Sequence, residues 1–193
     1  MSTTTTYDEA IERTLYTREE IAQAVGRLAA EIARDHARQP LLLLGVLKGA
    51  LYAAVDLARA IARVPDGPSE IFVDYLCVSS YGNATRSSGE VRMLKDTSVP
   101  VAGQNVVIVE DIVDNGLTLQ YLQALLRGRN PAHLRSCVLF DKPYHRLVDV
   151  PIDYVGLRSP DEFVVGYGLD YQELFRNLPY LAQLRAQVFS QEG

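Results

Sequence analysis

Two uninterrupted apolar runs decide what this chain can fold into: Leu41–Leu42–Leu43–Leu44–Gly45–Val46–Leu47 and Val106–Val107–Ile108–Val109. Both are too short to cross a membrane, and neither alternates with polar residues, so other parts of the protein must cover both faces. A strand inside a mostly parallel sheet, with helices on either side, meets that demand. The second run leads into Glu110–Asp111–Ile112–Val113–Asp114–Asn115–Gly116–Leu117–Thr118, where acidic side chains precede a glycine turn and a helical pattern. Unpaired carboxylates at a dry strand end are costly unless ligand hydroxyls or a hydrated divalent ion satisfy them. Adjacent strand side chains point to opposite faces, so Glu110 and Asp111 are expected to divide their tasks.

The flanking pattern supplies the rest of an open α/β sheet. Residues 17–38 read as a helix with a Thr17–Glu20 capping box and Ile21, Val25, Leu28 and Ile32 on one face. A second helix follows Gly49 and is stopped by Val64–Pro65–Asp66–Gly67–Pro68, leading to a strand over Ile71–Val78. Strand 106–109, helix 117–127 and strand 134–140 form another crossover unit. Strand-like stretches follow at Ile152–Val155 and Phe163–Gly168, and Tyr171–Phe189 reads as partly helical with a break near Pro179. Between Ser79 and Asp96 the periodicity fails; this polar, glycine-bearing segment reads as an active-site flap that returns as a ribbon through Val91, Met93 and Leu94.

Length and composition narrow the chemistry. The 193 residues, 48% of them hydrophobic, suit one domain over 1–193. A net charge of −5 gives no general attraction to nucleic acid or an anionic membrane. The polar start Met1–Thr6 and the lack of any apolar run of about 18 residues argue against secretion and membrane spanning, and for a cytoplasmic location. Cys77 and Cys137 lie in apolar runs and read as packed thiols. No G-x-x-x-x-G-K-[S/T] or G-x-G-x-x-G motif is present, which removes the main support for a nucleotide triphosphatase or a dinucleotide oxidoreductase. His36 and His133 read as surface residues with no zinc-like spacing to either cysteine.

Within this frame, Asp114 stands near a helix start, where backbone dipoles favour its charge. Asn115, Gly116, Leu117 and Thr118 can wrap amides and a hydroxyl around a phosphate without lysine. Lys48, between Leu47 and Gly49, suggests close backbone approach to an anion or a solvated turn. Lys142 and Arg146 follow the strand ending at Phe140–Asp141 and face either a polar ligand or water. Phe163, beside Asp161–Glu162, is placed to stack on a planar base or to join the core.

These stretches, with Val78–Ser79–Ser80–Tyr81–Gly82, Asp141–Lys142–Pro143, Phe163–Val164–Val165–Gly166–Tyr167–Gly168–Leu169–Asp170–Tyr171 and Phe175–Arg176–Asn177–Leu178–Pro179–Tyr180, resemble the hypoxanthine–guanine phosphoribosyltransferases, particularly the bacterial form, over roughly residues 8–185. The Glu110–Asp111 segment alone matches only the wider class that binds phosphoribosyl pyrophosphate; the later stretches single out the 6-oxopurine branch. The resemblance implies the type I phosphoribosyltransferase fold: an open, mostly parallel twisted sheet flanked by helices, with a small hood built by the terminal segments and a mobile flap over 79–96.

It also implies roles. Glu110 and Asp111 approach the ribose hydroxyls, and 114–118 hold the 5-phosphate. Asp114 resembles the residue that takes or shares the proton at purine N7 as the base attacks ribose C1. Lys142 resembles the donor to the 6-oxygen, Phe163 the residue that stacks on the base, and Val164 the backbone contact to its far edge. Asp170 resembles the aspartate that reaches a magnesium-bound water, so Glu110, Asp111 and Asp170 form the expected magnesium set. Arg176, Lys48 and Gly49 stand near pyrophosphate, and Ser80 and Tyr81 belong to the lid. In the family the Leu–Lys step before the glycine is often a cis peptide, and Leu47–Lys48 is the corresponding pair. Two departures stand out: Asn115 lies where threonine or serine is usual, and Ala50 where glycine is common.

The implied activity makes IMP or GMP and pyrophosphate from phosphoribosyl pyrophosphate and hypoxanthine or guanine, with Mg2+ as cofactor, in a homodimer or homotetramer. A preference for xanthine or for a single base is an alternative within the enzyme class. A phosphoribosyl-pyrophosphate-sensing regulator is the alternative outside it, and it lacks a basic stripe for nucleic acid.

Overall fold

The computed structural model describes residues 7–81 and 90–189. A short helix α1 (Tyr7–Ala10) and strand β1 (Ile11–Tyr16) precede the long helix α2 (Arg18–Asp35). Thr17 caps α2: its hydroxyl accepts from the Glu20 amide at 3.2 Å, and the Glu20 carboxylate accepts from the Thr17 amide at 2.8 Å. Then come β2 (Pro40–Leu47), α3 (Leu51–Ile61), β3 (Glu70–Tyr81), β4 (Glu90–Lys95), β5 (Asn105–Val113), α4 (Leu117–Arg127) and β6 (His133–Asp141). The chain finishes with β7 (Tyr154–Arg158), β8 (Val164–Val165), β9 (Leu181–Leu184) and α5 (Ala186–Phe189).

The main sheet has six strands in the order β4-β3-β2-β5-β6-β7, with β4 antiparallel to β3 and the other neighbours parallel. The apolar runs behave as their patterns require. Leu41 and Leu43 of β2 and Val107 and Val109 of β5 pack with α2 and α3, whereas Leu42, Leu44, Val106 and Ile108 pack with Leu119, Leu122 and Leu126 of α4. Leu41–Leu44 and Val106–Ile108 have no solvent exposure. At about 1.5–3 kcal/mol per fully buried large side chain, the two strands anchor the domain.

The chain leaves β2 toward β3 on one side and β5 toward β6 on the other, so a topological switch point lies between β2 and β5. Their pairing stops at Gly45↔Val109, although β2 runs to Leu47 and β5 to Val113. Beyond that register the two strands open a crevice at their carboxyl ends. A second sheet, ordered β1-β9-β8 and all antiparallel, brings the two terminal segments together above it. Its own core contains Ala10, Val165, Phe175, Leu178 and Leu184.

Several sequence expectations are corrected. Tyr171–Phe189 is helical only over Ala186–Phe189, with a strand at Leu181–Leu184. Before that strand, Gln172, Glu173 and Phe175 take left-handed backbone conformations (φ 50°, 66° and 72°), which a helix forbids. Helix α2 stops at Asp35 rather than continuing to 38. His36 is buried, its amide donating to Ile32 O at 3.0 Å, because the end of α2 tucks against Arg135 and His133 of β6. Burial and the Arg135 charge both lower its pKa. Cys77 is only half-buried, while Cys137 is buried and its thiol is pushed up to about 12 by desolvation. Val91, Met93 and Leu94 do belong to a returning ribbon, β4, paired with the end of β3. The tip of the expected flap, 82–89, lies outside the described residues. Among the described residues no helix is long and apolar enough to cross a membrane.

Candidate active site

The crevice between β2 and β5 is an open cleft of about 310 Å³ lined by Gly49, Glu110, Asp111, Asp114, Asn115, Gly116 and Thr118, together with Val46, Leu47 and Val78. Strand β5 presents Glu110 and Asp111 where β2 no longer covers it. Both residues therefore line one cavity, with the Asp111 carboxylate lying against Gly49. Burial raises the Glu110 pKa well above its ordinary value, and the neighbouring Asp111 charge adds to the effect. Burial also lifts Asp111 to about 6, against hydrogen bonds from the Ile112 amide and its own amide and the attraction of Arg176. Among the described residues, Oε1 of Glu110 and Oδ1 of Asp114 are buried with no hydrogen-bond partner. A buried orphan oxygen is costly, so these atoms fit a site whose donors arrive with a ligand.

Gly49 is required by this packing. A Cβ there would lie 1.7 Å from Oδ2 of Asp111, so only glycine lets the carboxylate sit against the β2 end. The Leu47–Lys48 peptide is cis. Leu47 and Gly49 line the cleft, but Lys48 sends its ammonium outward to Oε2 of Glu173 at 2.9 Å. Ala50 is fully buried directly before α3, where its methyl is accommodated.

The loop after β5 is held from both ends. Gly116 caps α4 with φ 87°, and no side chain caps that helix end from the Gly116 position. Instead, Oδ1 of Asn115 accepts from the Leu117 amide at 3.0 Å, so Leu117 takes part through its backbone while Thr118 faces the cleft. With the Leu117 amide taken by Asn115, the other first-turn amides leave a positive backbone end beside Asp114. Arg146 pairs with Asp141, reaches Val113 O at 3.4 Å and passes its Cδ beside Gly116; the Leu147 amide donates to Asn115 O at 2.9 Å. Arg146 thus pins the loop to β6. The sequence offered it only as a cation facing ligand or water, and the five-residue spacing from Asp141 was the only hint.

The remaining candidates, Lys142, Phe163, Val164, Asp170 and Arg176, do not line the cleft; Asp170 and Arg176 act on Asp111 through their charges. Lys142 is nearly buried and donates to Glu162 O at 3.0 Å, one residue from Phe163. Phe163 keeps 40% of its surface exposed, and Val164 is half-buried in β8. Asp170 pairs with Arg176 at 2.7 Å, and Arg176 also donates to Gly168 O at 2.8 Å. Glu173 joins the same group, accepting from Arg176 at 3.3 Å. Glu173 carries no signal in the sequence, because a lone glutamate in a polar loop has no pattern. Gly168 rests on Gly49, where an added Cβ would meet Gly49 O at 1.9 Å; this contact sets Asp170 and Arg176 close enough to Asp111 for their charges to act on it. The backbones of Ser80 and Tyr81 end β3, paired with Val91 and Glu90, and their side chains lie outside the described residues.

Among the described residues no three acidic, histidine or cysteine side chains converge on a ready-made metal position. The hard carboxylate oxygens of Glu110, Asp111 and Asp170 fit magnesium only as an ion that brings much of its own ligand shell of water and phosphate oxygen.

A mostly parallel sheet with a switch-point cleft, acidic residues at a strand end and a glycine-led turn into a helix defines a class, and residues 13–172 match the phosphoribosyl transferase domain family. The chain belongs to that family, and within it to the hypoxanthine–guanine phosphoribosyltransferases. It is 45% identical over 179 residues to the hypoxanthine-guanine phosphoribosyltransferase of Bacillus subtilis, covering 93% of this chain and 96% of that one. The Streptococcus mutans enzyme of the same name is 41% identical over 183 residues, covering 95% and 98%. A crystal structure of hypoxanthine phosphoribosyltransferase from Staphylococcus aureus superposes with a TM-score of 0.88 at 37% identity, covering 97% of this chain and 99% of that one.

Proposed function

We propose that this enzyme transfers the 5-phosphoribosyl group of phosphoribosyl pyrophosphate to N9 of hypoxanthine or guanine, giving IMP or GMP and pyrophosphate. The observation that carries the proposal is the cleft in which Glu110, Asp111 and the Asp114–Thr118 loop open together onto Gly49. Thr118 and the first-turn amides of α4 receive the 5-phosphate, while Glu110 and Asp111 accept from the ribose hydroxyls. Pyrophosphate lies toward Gly49, Lys48 and Arg176. Lys142 donates to the 6-oxygen, Phe163 stacks on the ring and the Val164 backbone meets its far edge.

As the bond from ribose C1 to pyrophosphate breaks, positive charge grows on the sugar and the nearby carboxylates favour it. Asp114, with one buried oxygen that has no partner among the described residues, takes or shares the N7 proton as N9 bonds to C1. Glu110, Asp111 and Asp170 would hold magnesium through oxygen and water, and its chemistry there is neutralisation of the leaving pyrophosphate. The role of a lid that excludes water falls to the 79–96 segment, of which 82–89 lie outside the described residues, and the small sheet serves as the hood. Adenine is rejected because its 6-amino group presents hydrogens to a lysine that also presents hydrogens. The enzyme works in the cytoplasm as a homodimer or homotetramer.

The test mixes purified protein, magnesium and phosphoribosyl pyrophosphate with hypoxanthine, guanine, xanthine or adenine and measures nucleotide and pyrophosphate together. Turnover of the first two and none of adenine is expected. Asp114→Asn should lower kcat by about two to four orders of magnitude, the usual worth of a positioned acid or base, with little change in substrate KM. Near-native turnover in that variant would remove Asp114 from the chemistry.

A further inference from the structure

The exposed ring of Phe163 does not stand alone. Phe189 of α5 stacks on it with centroids 4.8 Å apart and planes 21° from parallel, and Tyr171 meets it at 5.7 Å in a near-perpendicular arrangement of 87°. The Tyr171 hydroxyl donates to Val188 O at 3.3 Å, which ties the peptide leading into Phe189 to the same group. Phe189 and Val188 also pack against the small-sheet core, and α5 is fastened at its base by the Arg185 amide donating to Ala10 O at 2.9 Å. On the other side, Lys142 reaches Phe163's neighbour Glu162 from the end of the main sheet. Phe163 thus has one face backed by the hood and keeps 40% of its surface open.

We propose that Phe189 is a positioning residue for purine binding: it backs Phe163 so that the ring offers a single, fixed face to the base. This rests on the reading of Phe163 as the stacking residue. An unsupported phenyl ring at the surface turns about both side-chain bonds, and a base that stacks on it must first immobilise it. A ring already held by an offset stack and an edge contact has lost that freedom before the base arrives. The bound purine then becomes the outer layer of a three-ring stack, with Phe189 innermost and out of contact with the base. The contribution falls on base affinity, because neither phenyl ring meets the ribose, the pyrophosphate or the migrating proton.

The experiment measures KM for hypoxanthine, guanine and phosphoribosyl pyrophosphate, together with kcat and thermal stability, in the full chain carrying Phe189→Ala, Phe189→Leu, Phe189→Tyr or Phe163→Leu. For Phe189→Ala and Phe189→Leu, KM for both bases should rise about threefold to tenfold, the range expected for one lost aromatic pair, with kcat and KM for phosphoribosyl pyrophosphate within twofold of native. Phe189→Tyr keeps a flat ring and should restore base KM. Phe189→Leu keeps the apolar volume, so it reports on stacking even if the alanine variant folds poorly. If Phe163→Leu leaves base KM unchanged, the parent assignment of Phe163 is wrong. If Phe163→Leu raises base KM while the leucine and tyrosine variants at 189 behave alike, the backing role is overturned. A fall in base KM on Phe189→Ala would overturn it too, by showing that Phe189 occupies the face the purine needs.

Discussion

Replacing Gly168 by alanine probes the contact that sets the small sheet over the cleft. Two costs combine at that position. Gly168 has φ 104°, a conformation that side chains rarely adopt, and its new Cβ would stand 1.9 Å from Gly49 O and 2.9 Å from Gly49 C. The backbone cost alone is on the order of 1–3 kcal/mol, and overpacking against an unyielding backbone adds about 1–3 kcal/mol more. Gly103 supplies the control: it also has positive φ, 73°, but no described residue lies within 4 Å of its added Cβ. Gly103→Ala should therefore lose only about 1–2 kcal/mol, the price of a left-handed alanine. Gly168→Ala should lose roughly 2–6 kcal/mol, a large share of the stability of an ordinary domain. Relief can come only by lifting the 166–170 turn off Gly49, which carries Asp170 and the Gly168 carbonyl bound by Arg176 away from Asp111. Any folded Gly168→Ala protein should then show a raised KM for phosphoribosyl pyrophosphate, while Gly103→Ala keeps native kinetics. Urea denaturation and steady-state kinetics on both variants give the comparison. Equal stability losses with equal kinetics would refute the claim that contact with Gly49, rather than backbone conformation alone, positions the rim.

Asp74 anchors the segment after β4: burial opposes its ionisation, but hydrogen bonds from the Thr97 hydroxyl and the Tyr75, Ser98 and Val99 amides outweigh it and hold its pKa well below the usual range. A depressed carboxylate stabilises the fold above its ordinary pKa near 4 and loses that contribution as pH falls below it; Asp74→Asn should cost about 1–3 kcal/mol in urea melts at pH 7 and progressively less below pH 4, and a pH-independent difference would contradict this. Asn115→Ser should lower KM for phosphoribosyl pyrophosphate by about threefold to tenfold, since it releases the Leu117 amide from Oδ1 and adds a hydroxyl donor; an unchanged or higher KM would show that the asparagine cradle is already complete. Lys142→Ala should raise KM for hypoxanthine and guanine by at least about tenfold, the worth of one charged hydrogen bond, and intact selectivity against adenine with native KM would reject the assigned contact.

Local chemistry along the chain dictates several of the elements of this fold. Unbroken apolar runs at 41–47 and 106–109 can be satisfied only by burial on both faces, Thr17 and Glu20 specify a helix start, and Asn115–Gly116 specifies a turn into α4. The motifs shared with the family single out the candidate residues. What they cannot supply is distance and direction. Glu110 and Asp111 border one cleft because β2 stops pairing with β5 at Gly45↔Val109, a fact of register between segments some 60 residues apart. The stretch from Tyr171 has a helix-like composition, yet left-handed turns win there because Arg176 must reach Gly168 and Asp170. His36, polar at a helix end, is buried because α2 closes onto β6. Arg146 beneath the 114–118 loop, Glu173 between Lys48 and Arg176, and Phe189 behind Phe163 likewise depend on long-range packing. Local pattern fixes which residues can form an element, because backbone hydrogen bonding and burial act along neighbouring residues; only the closed tertiary structure decides which distant side chains come to share a wall.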